Sequence, residues 1–454
     1  MNSKNKRRTI LHVTPHLGGG VGTVILNYLR KVNDEPDFVH KVLSLDYANE
    51  KAVLASRTIG FSLTDRMSSR HDTVLAAIAE ADIVLIHWWN HPLLYDFLVR
   101  ETLPPARVIF WSHTLGYHAP SVFNETVLCY PDLFVFTSPL SLETPEVKRL
   151  REERQKSLRV IWSTGGIEHV ASVRPKPHAG FTIGYIGTVD YCKMHPEFLG
   201  MSSLVKIPDA RFIVCGGPSE KQITTESLKY DNGRRFSFTG HVENITDYLS
   251  EFDVFGYPLA PCHYGTCEQS LCESMAAGVP PVVLTNLTEC HIVEDGVTGV
   301  VAANKEEYAR ALEQLYRNRD LRQRLSDNAR KAAAGRFSIE LMINRWEKVF
   351  HDALTLPKTE RHWTGRCRGK SASPAQVFVE ALGMHGNDFM SDLNTHDEAE
   401  RKAARDAIRR LYASSHLWRS NTQGTPHHYH NCFPEDVNLK LWSSLDCHRR
   451  ERQD

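Results

Sequence analysis

His263-Tyr264-Gly265-Thr266-Cys267-Glu268-Gln269-Ser270-Leu271-Cys272-Glu273-Ser274-Met275-Ala276-Ala277-Gly278-Val279-Pro280 is the stretch that decides the fold. Thr266 and Gln269 have the spacing of a capping box, which predicts a helix from about Cys267. Gly278 and Pro280 predict its end. Leu271 and Met275 fall on one face, and the apolar run Pro281–Leu284 that follows reads as a buried strand. Backbone amides at Gly265–Glu268 would lie at the helix start, where a phosphate is favoured. Glu273, further along, can hold two adjacent hydroxyls of a ribose or sugar by charge-assisted hydrogen bonds. A solvated helix with ordinary glutamates is the competing reading.

The same alternation extends back along the chain. Thr182–Gly187, Ala210–Cys215, Phe236–Thr239 and Val254–Tyr257 read as strands separated by helices. An earlier series comprises Thr9–Thr14, Val39–Leu45, Ile83–His87, Val108–Trp111 and Leu133–Thr137. Short apolar runs between helices predict parallel sheets covered on both faces. Two such series predict two doubly wound domains, with ligands beyond the carboxyl ends of the strands. Gly18-Gly19-Gly20-Val21-Gly22 stands between the first strand and a helix over Thr23–Val32. Such glycines allow backbone amides to approach an anion. A flexible loop and a dinucleotide fingerprint with Asp46 as the ribose acid are alternatives, but Thr23 holds the place of the fingerprint's third glycine.

Composition bounds the rest. The chain has 454 residues, 54 Lys+Arg against 54 Asp+Glu, and 41% hydrophobic residues. The balanced charge argues against a nucleic-acid partner. No run of ~18 apolar residues marks a membrane span, and the basic amino end lacks a signal-peptide core, so a cytoplasmic location is expected. The 10 cysteines are scattered, without a C-x-x-C pair or a tight disulfide framework. Cys262, Cys267 and Cys272 read as buried small residues. The 23 histidines direct attention to the His-rich tail, where His427, His428 and His430 read as a surface or interface segment. The basic stretch Arg401–Arg419 reads as a solvated helix face, with peripheral contact to the inner face of the cell membrane as the alternative.

Taken with Gly184-Tyr185-Ile186-Gly187, Lys193, Phe212–Gly217, Phe238–Val242, Tyr248-Leu249, Asp253–Phe255 and Glu294–Gly299, the opening stretch resembles the GT-B retaining glycosyltransferases of the GT4 type, glycosyl transferases group 1. The resemblance runs from about Ile10 to Leu354 and is strongest over Ile183–Phe350. It implies an α/β GT-B fold, with two Rossmann-like domains facing a central cleft. The expected division is an acceptor domain over 1–172, a nucleotide-sugar donor domain over 173–345, a helix over 346–357 crossing back, and a C-terminal extension of unknown fold over 358–454. It implies transfer of a sugar from a nucleotide-diphosphate donor to a saccharide or lipid-linked acceptor, as in cell-surface polysaccharide or glycoconjugate synthesis. A non-catalytic nucleotide-sugar-binding or scaffold protein is the alternative, and a sugar-nucleotide epimerase is a third reading.

By the resemblance Glu273 holds the donor ribose, Lys193 neutralises the leaving diphosphate, and His113 lies near the reacting sugar. Gly19, Gly20 and Gly187 lie against the donor. No D-x-D pair is found, so neither a metal nor another cofactor is expected. Two positions depart from the family pattern. Gly265 stands where the first Glu of an E-x7-E pair belongs, so Glu268 or the backbone at Tyr264, Gly265 and Thr266 is expected to read the sugar. Thr188 replaces an Arg after Gly187, which leaves more of the leaving group's charge to Lys193.

Overall fold

The computed structural model describes residues 7–231 and 234–446. The start of the basic amino end and His448 lie outside the described residues. The chain forms two compact units, one of residues 1–161 with 343–454 and the other of residues 162–342.

The first unit is built on a seven-stranded parallel sheet. Its strands are β1 (Arg8–Thr14), β2 (Phe38–Ser44), β3 (Ser62–Thr64), β4 (Ile83–Trp88), β5 (Val108–Ser112), β6 (Leu133–Phe136) and β7 (Leu158–Val160). Their order is β7-β6-β5-β4-β1-β2-β3, so the direction of winding reverses between β1 and β4. β4 and β5 are buried along their whole length, as apolar runs covered on both faces must be. The helix after β1 begins at Gly19, one turn earlier than the sequence suggests, so Gly19, Gly20 and Gly22 belong to its first turns. A Cβ on Gly22 would come 2.9 Å from the Leu17 carbonyl carbon, which explains why this close approach needs glycine.

The second unit holds a six-stranded parallel sheet of β8 (Phe181–Ile186), β9 (Ala210–Cys215), β10 (Phe236–Gly240), β11 (Val254–Tyr257), β12 (Pro281–Leu284) and β13 (Val300–Ala302). The order is β10-β9-β8-β11-β12-β13, with the reversal between β8 and β11. The helix Ile339–Leu354 starts in this unit and ends in the first.

Residues 358–446, which the sequence leaves without a fold, are mainly helical and share the first unit's core. Thr359–Arg361 pairs antiparallel with Leu103–Ala106. The helix Pro374–Leu382 starts on a full capping box of Ser373 and Gln376, with Pro374 in its first turn. Its Val377 and Phe378 are fully buried in one apolar cluster with Tyr95, Phe97, Trp363 and Trp442. Trp442 also donates to the Asp392 carboxylate at 2.7 Å, which Arg405 holds from the other side. The basic helix Glu398–Ser414 buries its apolar stripe, Ala404, Ile408 and Tyr412, within the unit. Trp442→Ala should therefore cost about 3–5 kcal/mol by loss of packing, read as a lower urea midpoint. A chain ended after residue 357 should be insoluble, because Phe97, Leu98 and Tyr95 would lose their cover. A well-folded truncated protein would show that the extension is not part of this core.

Candidate functional site

In each unit the reversal of strand order leaves a crevice at the carboxyl ends of the central strands, the usual ligand position in such sheets. In the second unit the residues singled out from the sequence gather there. β8 ends at Ile186 and runs on into Gly187 and Thr188, and β11 ends at Tyr257. The segment from His263 leads into the helix Gln269–Ala277.

The helix start corrects the expected capping box. Thr266 does not cap the helix. Glu268 is the N-cap, with φ of 37° and no side-chain hydrogen bond to the helix amides. The physical reason is electrostatic. Glu268 turns its carboxylate inward instead, where Lys193 Nζ lies 3.0 Å from Oε2 and the Tyr257 hydroxyl donates to the same oxygen at 2.7 Å. A left-handed non-glycine backbone is unfavourable, and the buried ion pair with Lys193 offsets it. Nor is the Gly265 amide free for a phosphate, since it donates to His263 Nδ1 at 3.0 Å.

Gly265 and Glu268 explain each other. A Cβ on residue 265 would stand 1.6 Å from Glu268 Oε1, so the carboxylate fills the space that a side chain at 265 would need. The carboxylate has 0% side-chain exposure, whereas 15% of the Lys193 side chain remains exposed. Lys193 is thus the member of the pair that a ligand can reach.

The surroundings hold this pair charged. Burial by itself would lower the Lys193 pKa, but Glu268 and Tyr264 outweigh it and raise it above the ordinary lysine range. Burial raises the Glu268 pKa, and Lys193 and His263 more than reverse that, so the net direction is down. Lys193 also sits over the Tyr264 ring, 5.4 Å from its centre. The Tyr264 hydroxyl is 3.2 Å from Thr188 Oγ1, so the residue in place of the expected Arg serves to fix this ring. His263 Nε2 lies 3.2 Å from the buried Glu289 carboxylate. Burial opposes a charge on His263, yet Glu289 and Glu268 shift its pKa upward. The Gly265 amide donates to Nδ1, so the other ring nitrogen, Nε2, faces Glu289.

Glu273 lies one turn into the helix. Its Oε1 accepts from Gln269 Nε2 at 2.7 Å and stands 3.3 Å from His169 Nε2. The hydrogen bond to Glu273 raises the His169 pKa. Gln269 also donates to the Gly166 carbonyl at 3.1 Å. Cys267 and Cys272 are buried, and the Cys272 thiol donates to the Cys267 carbonyl, while Cys262 is exposed.

In the first unit, Gly19 and Gly20 lie at the helix start with open space where a Cβ would be. His113 follows β5, and its Nε2 is 3.0 Å from His87 Nδ1. Beside it, Trp89 meets His16 and His91, and His91 packs edge-on against His428 with ring centres 4.7 Å apart. The question about histidines thus turns from the tail alone to the first unit's sheet. The segment Pro426–Cys432 is no surface element: His427 and His428 are buried.

Sequence reasoning missed Tyr257, His263, Glu289, His169 and the histidines of the first sheet. The strand histidines His12 and His87 had a signal, a titratable residue set in an otherwise apolar run, whereas Glu289, among polar neighbours, had none. Tyr257 and His169 had none, because only the turn of the chain brings them to Glu268 and Glu273.

Residues 169–332 match the family described as glycosyl transferases group 1. A 2-deoxystreptamine N-acetyl-D-glucosaminyltransferase of Niallia circulans is 28% identical over 125 residues, 26% of this chain and 31% of that relative, so the match spans about a third of its length. Among solved structures, HepE of Anabaena in complex with UDP-glucose superposes with a TM-score of 0.62 at 15% identity, covering 76% of this chain and 99% of that one. A glycosyltransferase from Rickettsia africae ESF-5 gives 0.64 at 14% identity, covering 77% and 99%. The match to glycosyl transferases group 1 therefore falls within the second unit, in a chain with the GT-B fold.

Proposed function

We propose that the protein is a retaining glycosyltransferase that moves a sugar from a nucleotide-diphosphate donor to a saccharide or lipid-linked acceptor, in cell-surface polysaccharide or glycoconjugate synthesis. The observation that carries this reading is Lys193, held charged by an enclosed carboxylate at the carboxyl ends of β8 and β11, with only the lysine reachable. As the bond from the anomeric carbon to the diphosphate breaks, the electron pair leaves with the nucleoside diphosphate. A fixed ammonium group there stabilises the growing charge without reorganisation. No metal is invoked, since Lys193 supplies the cation. Glu268 acts as a positioning residue in this reading, because its carboxylate has no surface for a sugar to touch.

The donor's diphosphate and sugar lie along Gly187, Tyr264, Gly265 and Thr266 of the second unit. Glu273 holds the two ribose hydroxyls, aimed by Gln269 and His169. The work is cytoplasmic, with membrane contact, if the acceptor is lipid-linked, by surface patches; among the described residues no helix is long and apolar enough to cross a membrane.

Incubation of the purified protein with UDP-, GDP- and ADP-sugars and a panel of saccharide acceptors should yield a glycoside with the donor's anomeric configuration. Glu273→Gln should weaken nucleotide binding about tenfold, equivalent to about 1.4 kcal/mol, in a titration calorimeter. Nucleotide binding without turnover on any acceptor would favour the scaffold reading instead.

A further inference from the structure

Glu268 Oε1 is buried and has no hydrogen-bond donor among the described residues. The other oxygen of that carboxylate, Oε2, takes both Lys193 and Tyr257. The ring nitrogen that faces Oε1 is His263 Nδ1, 3.7 Å away. Its lone pair is already engaged, because the Gly265 N–H donates to it at 3.0 Å. An imidazole nitrogen either donates or accepts. His263 Nδ1 can therefore serve the Gly265 amide or the Glu268 oxygen, but not both at once.

The charges around the ring distinguish the two arrangements. Those that act on it are Glu289 from the helix Leu287–Ile292, Glu268 from its own segment and Lys193 from the segment after β8. All belong to the second unit. The Glu268 and Glu289 side chains have 0% exposure and the His263 side chain 3%. With His263 neutral, two enclosed carboxylates face one ammonium group, and the cluster keeps a net negative charge, which is unfavourable away from water. Nδ1 then accepts from Gly265, as in the structure, and Glu268 Oε1 goes without a donor. A proton added at Nδ1 neutralises the cluster and gives Oε1 its donor. The Gly265 N–H then loses its acceptor, and a buried amide without a partner is costly. Each arrangement leaves one group unsatisfied.

An anion beside Lys193 and Gly265 completes the second arrangement. It supplies the acceptor that the amide lacks, and its charge favours the imidazolium. We propose that His263 is a proton-coupled positioning residue: a nucleoside diphosphate bound beside Lys193 draws a proton from solvent onto His263 Nδ1, which turns to Glu268 Oε1 and releases the Gly265 N–H to a phosphate oxygen. The proposal rests on the nucleotide-sugar reading above. No bond to the sugar forms or breaks in this step. One proton passes from the buffered solvent to the ring, and it returns when the diphosphate leaves.

The sign of the pH dependence follows. Burial opposes a charge on His263, but Glu289 and Glu268 raise its pKa above 6.5. Below the pKa of the free protein the ring is already charged, and binding takes up no proton. Above it the proton must come with the ligand, so affinity falls as pH rises, by up to about tenfold per pH unit.

Tyr264-Gly265 is the only Tyr-Gly pair in the sequence, so carbonyl-¹³C tyrosine combined with ¹⁵N-glycine marks the Gly265 amide alone. In the ligand-free full chain that signal should move between about pH 6 and 9 with the midpoint of the His263 ring, whose ¹⁵N signal is assigned by its loss in His263→Gln. A His263 titration that leaves the Gly265 signal in place overturns the proposal whether or not a nucleotide binds. UDP-, GDP- and ADP-glucose are then titrated calorimetrically at pH 8 in Tris and in HEPES, since a nucleotide sugar has no phosphate that ionises near neutrality. The tightest binder should take up as much as about one proton per site, read as a binding enthalpy that differs between the buffers. In His263→Gln the uptake should vanish, and affinity at pH 7 should be about tenfold lower. In Glu289→Gln the ring should titrate at lower pH, and the uptake should move with it. Uptake that persists in His263→Gln, or native binding without uptake anywhere from pH 6 to 9, overturns the coupling. Binding of none of the three defeats the nucleotide-sugar reading and leaves the Gly265 titration to decide the exchange at His263.

Discussion

Lys193→Ala should abolish sugar transfer, with kcat at least about 10²–10³-fold below the native value. Two losses combine in that variant. The leaving diphosphate loses its cation, and Glu268 is left enclosed without its partner. Removing one member of a buried pair costs about 3–5 kcal/mol, so the melting temperature should fall as well. Burial would then dominate the Glu268 carboxyl and drive its pKa up, where Lys193 and His263 now hold it down. A second variant separates chemistry from folding. Lys193→Met combined with Glu268→Gln removes both charges, keeps the hydrogen bond with Tyr257, and should recover most of the stability but none of the activity. Full activity in the double variant would show that Lys193 does not act on the leaving group.

Acidification should unfold the first unit between about pH 6 and 4. His12, His40, His87 and His91 are buried, and burial holds each pKa below the ordinary value of 6.5. The sign follows from proton uptake. Below 6.5 the unfolded chain protonates these rings and the folded one does not, so stability rises with pH in that range. The contribution is fully present above 6.5 and is lost as pH falls toward the folded-state values, about 4 for His40. Each ring adds a slope of about 1.4 kcal/mol per pH unit, and four together reach about 11 kcal/mol over two units, comparable with the ~5–15 kcal/mol of a typical domain. Tryptophan fluorescence reports the event, since Trp162 alone of the 8 tryptophans lies in the second unit. Stability that stays flat from pH 7 to 5 would show that these rings are solvated or already charged in the native state.

Much of this molecule is legible without coordinates. Ala210–Cys215, Val254–Tyr257 and Pro281–Leu284 occupy the strand positions that their apolar runs announce, because a strand covered on both faces has no other composition open to it. The positions of Gly187, Lys193 and Glu273 near the strand ends follow from the same alternation. Other features needed the folded chain. The tail's helices carry weak patterns because their apolar faces meet the first unit from several sides, so no single period marks them. Cap chemistry at Thr266 was misread because local spacing cannot register a lysine 73 residues away that draws Glu268 inward.

The sequence by itself determined the two alternating series, and with them the two parallel sheets and the strand ends where a nucleotide would lie. That information is local, since hydrophobic runs and turn residues act over a few positions. Tertiary structure alone decided that Glu268 stands in the space Gly265 leaves, and that His12, His40, His87 and His113 meet in one hydrogen-bonded row. Those are meetings of side chains from separate strands and turns, set by register and burial, and no linear spacing encodes them.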